Sequence, residues 1–110
     1  MKTSSAPPKK FSDFIERFPK LGKAWDAIHE AEDEGPLDPR TSRLVKLAVA
    51  IGALKEGAVH AAARKALKAG VTAAEMEQVV VLATATLGMP STVAVYGWIQ
   101  DVLAKDARKD

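Results

Sequence analysis

Apolar residues recur every three or four positions along most of the chain, which is the period of an amphipathic α-helix. The first stripes predict a short helix within residues 11–18 and a second helix over about residues 21–33, with Pro19 between them. Gly35 and Pro36 then interrupt the pattern. No segment shows the alternation of apolar and polar residues that is typical of a half-buried strand, so the sequence predicts an all-α fold of about five to six helices.

The central third of the chain predicts two further helices. Asp38 and Pro39 form a strong helix start, because Asp accepts hydrogen bonds from free amides and Pro fits the first helical position. Two glycines weaken the helix over residues 52–57, so we expect a kink or a short break there. The following helix covers roughly residues 56–69 and stops at Gly70, a residue suited to a left-handed cap.

The last third predicts two more helices. Thr72 and Glu75 have the spacing of a capping box, in which each side chain satisfies a free amide at the helix start. Apolar residues then occupy more than one face, since Val81 and Leu82 widen the stripe, so we expect this helix to be buried nearly all round. Ser91 is expected to cap the final helix.

The length of 110 residues is enough for one domain with a single modest core. We expect a disordered N-terminal tail at residues 1–10, a helical domain over residues 11–104 and a frayed C-terminus at residues 105–110. Aromatic residues make up only 5% and alanine dominates the apolar set, which indicates closely approaching helices. A small, alanine-rich core often gains burial by oligomerising.

Charge and cysteine content exclude several function classes. The net charge of +2 and the scattered basic residues argue against nucleic-acid binding. The absence of cysteine excludes disulfides, thiol catalysis and cysteine-ligated metal sites. The longest apolar run, residues 79–89, is too short to span a bilayer and the N-terminus has no apolar leader, so no membrane association and a cytoplasmic location are expected.

Four segments occur in a characteristic order: FPKLGKAWDAI at residues 18–28, GPLDPRTSRLVKLAVAIGA at 35–53, a helix at 56–70, and GVTAAEMEQVV at 70–80. Together they resemble the carboxymuconolactone decarboxylase and alkylhydroperoxidase D-like family. The resemblance implies a small helical unit built around a helical hairpin. It also implies a homo-oligomer, usually a trimer or a hexamer, with active sites near subunit contacts and a peroxidase or decarboxylase activity.

The resemblance places the family's redox residues at four positions that are all replaced in this chain. The family's glutamate falls at Arg43, its two cysteines at Lys55 and Ala58, and its histidine at Ala62. Peroxide reduction requires a thiolate, a resolving thiol and a base, so we predict that cysteine-dependent peroxidase activity is absent. The decarboxylase branch also lacks the cysteines and stays open. No cofactor is predicted.

The remaining candidate chemistry centres on His60. Glu56, His60 and Arg64 lie four residues apart on one helix face, so Glu56 could orient the imidazole and Arg64 could hold a carboxylate. The alternative is an exposed charged stripe. Arg43 and Lys55 are candidates for binding a carboxylate or phosphate, or each simply extends into solvent.

Three functions therefore remain open. The first is a non-redox module for small-molecule binding or assembly. The second is a cofactor-free lyase or decarboxylase that acts on a small carboxylate through His60 and nearby cations. The third is redox activity through the thiol of a partner. No metal site is predicted, because the acidic face around His29 carries no second histidine.

Overall fold

The computed structural model describes residues 8–107. Within this range the chain forms helices and no strands, which confirms the all-α prediction for the described residues. The helices are α1 (Lys9–Arg17), α2 (Pro19–Asp33), α3 (Pro39–Ala53), α4 (Glu56–Lys68), α5 (Ala73–Leu87) and α6 (Met89–Ala107). Most of the predicted tail and the last three residues of the predicted frayed end lie outside the described residues.

The described chain divides into two compact units, residues 8–37 and residues 38–107. The sequence predicted a single domain. The division falls beside Gly35 and Pro36, in a segment that carries no helix. Each unit is described by itself below.

The first unit is the pair of helices α1 and α2. Helix α1 begins at Lys9, inside the predicted tail, and the Lys9 ammonium lies 3.1 Å from both carboxylate oxygens of Asp13 one turn later. The two helices pack together, with the rings of Phe11 and Trp25 6.3 Å apart. Neither helix contains a buried residue, so the apolar stripes that predicted these helices do not form a core within the unit.

The second unit is a four-helix arrangement in which α3 packs on α4 and α5, and α6 packs on the same two helices. Its core takes apolar residues from every helix. Alanines of α4 lie in this core, and their small side chains let the neighbouring helices approach closely. The fully buried large side chains are Leu47, Ile51, Val59, Met76, Val95 and Ile99.

Helix α5 buries one face only. Met76 and Val80 are buried, whereas Val81 and Leu82 are 65% and 68% exposed. The prediction of a helix buried nearly all round is therefore wrong for the single chain. Because α3 and α6 cover one side of α5, its second apolar face has no neighbour within this unit.

The predicted break near residue 54 is confirmed, since α3 ends at Ala53 and α4 begins at Glu56. The left-handed residue that ends α3 is Leu54, with φ 55°. The stop at Gly70 is also confirmed: its φ is 90°, and the amide of Val71 donates to the Ala66 carbonyl at 3.0 Å.

The last helix departs from its prediction at both ends. Helix α6 begins at Met89, so Ser91 lies inside its first turn and is not the cap. Gly88, with φ 86°, ends α5, and its carbonyl accepts hydrogen bonds from both the amide and the hydroxyl of Thr92. Pro90 fits this first turn because an amide there needs no intrahelical partner. The helix continues to Ala107, beyond the predicted end at residue 104.

A cationic groove between α3 and α4

The candidate site lies on the hairpin of α3 and α4, whose ends are fixed by local sequence. Asp38 starts α3, because its carboxylate accepts a hydrogen bond from the Thr41 amide at 2.7 Å. Leu54 and Lys55 form the whole connection to α4. Such a short connection between two packed helices makes them antiparallel neighbours.

The facing sides of the two helices line a groove of about 290 Å³. The lining residues follow helical spacing on both sides, so they share one face of each helix. Helix α3 contributes Arg43, Lys46, Val49, Ala50 and Ala53, and the α4 side contributes Lys55, Ala58, Ala61, Ala62 and Lys65.

Positive charge dominates this groove. Four of its ten lining residues are Lys or Arg, the other six are alanine or valine, and none is acidic among the residues that the structure describes. A mostly apolar concave surface with a few charged groups is typical of small-molecule sites. Its charge favours an anion.

Alanine side chains form the floor of the groove. Ala50 and Ala62 also belong to the buried core, so the floor is continuous with the packed interior. Ala58 is exposed and Ala61 is half-buried, and a larger residue at either position would occupy the groove itself. The volume therefore depends on the absence of side-chain atoms beyond Cβ at these positions.

The structure separates the two sets of predicted site residues. Arg43 and Lys55 line the groove, whereas Glu56, His60 and Arg64 are not among its lining residues. His60 Nε2 is 3.9 Å from Glu56 Oε2, which is too far for a hydrogen bond, and this buried nitrogen has no hydrogen-bond partner among the described residues. The sequence prediction missed Lys46 and Lys65, although each lies on the same helical stripe as a predicted residue.

A second feature that the sequence prediction missed is an ion pair between Arg40 of α3 and Glu75 of α5. The Glu75 oxygen that accepts from Arg40 also accepts from the Thr72 amide at 2.8 Å, which completes the predicted capping box. These hydrogen bonds, that of Arg40 foremost, lower the pKa of Glu75 to about 2. The pair links α3, which lines one side of the groove, to α5.

This pair predicts a specific acid sensitivity. A carboxyl group with a lowered pKa in the folded state stabilises that state above its ordinary pKa, and the contribution is lost as the pH falls towards the lowered value. Unfolding by urea at several pH values should show the wild type losing stability between the ordinary pKa of 4.5 and about 2. Glu75→Gln and Arg40→Met should both flatten this loss. A Glu75→Gln protein with the wild-type pH dependence would contradict the assignment.

The described residues contain neither a cluster of metal ligands nor a helix able to cross a membrane. No group of three or more His, Cys, Asp or Glu side chains within residues 8–107 is arranged to hold a metal ion. Over the same range no helix combines the length and the apolar character that crossing a membrane requires.

The model of the carboxymuconolactone decarboxylase family matches residues 19–101, which is most of the chain. The chain belongs to the carboxymuconolactone decarboxylase family. No curated protein and no solved structure gives a match.

Within this family member, the four replaced positions come together. Arg43, Lys55, Ala58 and Ala62, where the resemblance places the redox residues, all line the same groove. The replacements leave two cations and two methyl groups there. Neither alanine carries a nucleophile or a titratable group.

Proposed function

We propose that this chain is a non-redox member of the carboxymuconolactone decarboxylase family that binds a small organic carboxylate in the α3–α4 groove. The observation that carries the proposal is the lining of this groove, which consists of alanines, one valine and four cations with no acidic residue among them. The alanine floor would contact the apolar part of the ligand, and Arg43 would pair with its carboxylate.

The type of cationic side chain in the groove favours a carboxylate as the ligand. Arg43 can donate two parallel hydrogen bonds to a carboxylate from its planar guanidinium. Hydrogen bonds to charged groups are stronger than those between neutral groups.

Redox chemistry has no support in these residues. The 110 residues contain no cysteine, so no thiolate is present to attack a peroxide. Redox turnover through the thiol of a partner would still need a proton-transfer group in the groove. Ala58 and Ala62 supply none.

The placement of His60 supports binding over a lyase reaction. A general acid or base must come within hydrogen-bond reach of the reacting group. His60 does not line the groove, and Glu56, the acidic residue 3.9 Å from its Nε2, is on its own helix. A carboxylate held by Arg43 would therefore meet methyl groups and no general acid or base from His60.

Calorimetric titration with octanoate at low ionic strength tests the proposal. The wild type should bind, and Arg43→Met should weaken binding about tenfold or more, because a charge-assisted hydrogen bond contributes about 1.5–3 kcal/mol. Lys105→Met is the matched control, since it removes an exposed cation of α6 outside the groove. No heat of binding to the folded wild type, or an equal loss in both variants, would contradict the proposal.

We also propose that the chain assembles as a homo-oligomer, the trimer or hexamer that the family resemblance implies. Its support is the apolar surface that one chain leaves open on α5 and α6. Solitary exposed apolar residues are common, but clusters of them mark association sites. The exposed residues are Val81, Leu82, Met89, Val93 and Tyr96.

Light scattering coupled to gel filtration tests the assembly. We expect a mass three or six times that of the 11.7 kDa chain. Leu82→Asp should lower this mass, because a carboxylate buried at an apolar contact is costly. Glu34→Asp, a change at an exposed acidic residue, should leave the mass unchanged. A wild-type monomer at micromolar concentration would overturn the proposal.

A further inference from the structure

The cations of the groove are divided between its two ends. Because α3 and α4 are antiparallel, Ala53 and Lys55 lie at the closed end, beside the connection. Arg43 and Lys65 lie at the open end, and Lys46 is one helical turn from Arg43. Three cationic residues therefore lie at the open end of the groove and one lies at the closed end.

An apolar stretch separates these two ends. The lining between them is formed by Val49 and the alanines of both helices. Lys55 and Lys65 are ten residues apart in sequence, which corresponds to about 15 Å along the axis of α4. Lysine side chains are long and flexible, so their ammonium groups can approach each other across part of this span.

The apolar stretch between two cationic ends favours a ligand of a particular shape as well as a particular charge. No neutral hydrogen-bonding side chain lines the groove within the described residues, so hydroxyl groups or a nucleobase would find no matched side-chain partner. A volume of about 290 Å³ is at the lower end of small-molecule sites, which favours a narrow molecule. The complementary ligand has an apolar middle and an anionic group at each end.

We propose that the groove binds an unbranched α,ω-dicarboxylate lengthwise, with one carboxylate at Arg43 and the other at Lys55. This inference rests on the proposed function, because it names the class of carboxylate that the same site takes. A monocarboxylate whose carboxylate binds at the open end would contact the same alanine floor with its apolar chain. It would make no charged contact with Lys55. The second carboxylate adds that contact and should raise the affinity about tenfold.

Calorimetric titration with matched pairs of ligands tests the lengthwise orientation. The probes are α,ω-dicarboxylates of six to ten carbons, each paired with the linear monocarboxylate of the same carbon number. In the wild type, the best dicarboxylate should bind about tenfold more tightly than its monocarboxylate partner. Lys55→Met should abolish this difference, whereas Arg43→Met should weaken both ligands. Lys105→Met serves as the control, and far-UV circular dichroism checks that each variant is folded.

The outcomes separate this inference from the proposed function. If monocarboxylates bind and dicarboxylates bind no more tightly, the lengthwise orientation is overturned and the carboxylate site stands. If Lys55→Met weakens both ligand classes equally, the orientation is overturned as well, because Lys55 then contacts the first carboxylate. If neither class binds to the folded wild type, both proposals are overturned.

Discussion

Replacing Leu47 with Ala is expected to lower the free energy of unfolding by about 2–5 kcal/mol. Leu47 is fully buried in the core where α3 meets its neighbours, so the substitution removes apolar contacts and leaves a cavity. Small domains have total stabilities of about 5–15 kcal/mol, so this loss is a large fraction of the whole. Urea unfolding at a fixed protein concentration measures it.

Leu37→Ala is the matched control for this prediction. It makes the same chemical change at a side chain that is 55% exposed, outside any helix. We expect a change within about 0.5 kcal/mol. Equal losses at the two positions would show that Leu47 does not lie in a packed core.

Replacing Ala58 with Phe is expected to reduce octanoate binding about a hundredfold, to near the limit of detection. Ala58 lines the groove and is exposed, so an aromatic ring there would occupy the ligand volume without entering the core. A ligand that must displace a packed side chain loses its own contacts with the floor. Calorimetric titration measures the loss.

Ala74→Phe controls for the general effect of adding a ring. Ala74 is an exposed alanine in the first turn of α5 and does not line the groove. Binding to this variant should equal that of the wild type, and both variants should unfold at wild-type urea concentrations. Wild-type affinity in Ala58→Phe would place the binding site elsewhere.

Local signals in the sequence were sufficient to predict most helices of the second unit. Asp38, Thr72 and Glu75 act on amides within their own first turn, so their roles depend on a few neighbouring residues. Gly70 likewise ends α4 through its own backbone conformation. Features of this kind require no knowledge of how the helices pack.

Features that depend on packing could not be predicted in the same way. Arg40 and Glu75 are 35 residues apart, and in the sequence each resembles an ordinary solvated charge. The one-sided burial of α5 depends on which helices cover it, and its apolar residues are compatible with a helix covered on one side or on two. The division into two units has a signal at Gly35 and Pro36, but a break in helical periodicity also occurs inside single domains.

The candidate site was partly predictable. The resemblance to the family identified the positions of Arg43, Lys55, Ala58 and Ala62. The structure places all four around one groove. Lys46 and Lys65 could have been found by continuing the helical spacing from Arg43 and from Ala62. His60 was a candidate because it shares a helix face with Glu56 and Arg64, but its position two residues before Ala62 turns it by about 200° around the helix.

The measurement that tests the central claim most directly is the mapping of backbone amide shifts while octanoate is titrated into the ¹⁵N-labelled protein. The account predicts that the largest shifts fall on α3 and α4 at residues that line the groove, and that Arg43→Met reduces them at equal ligand concentration. An absence of shifts, or shifts confined to helices that do not line the groove, would contradict it.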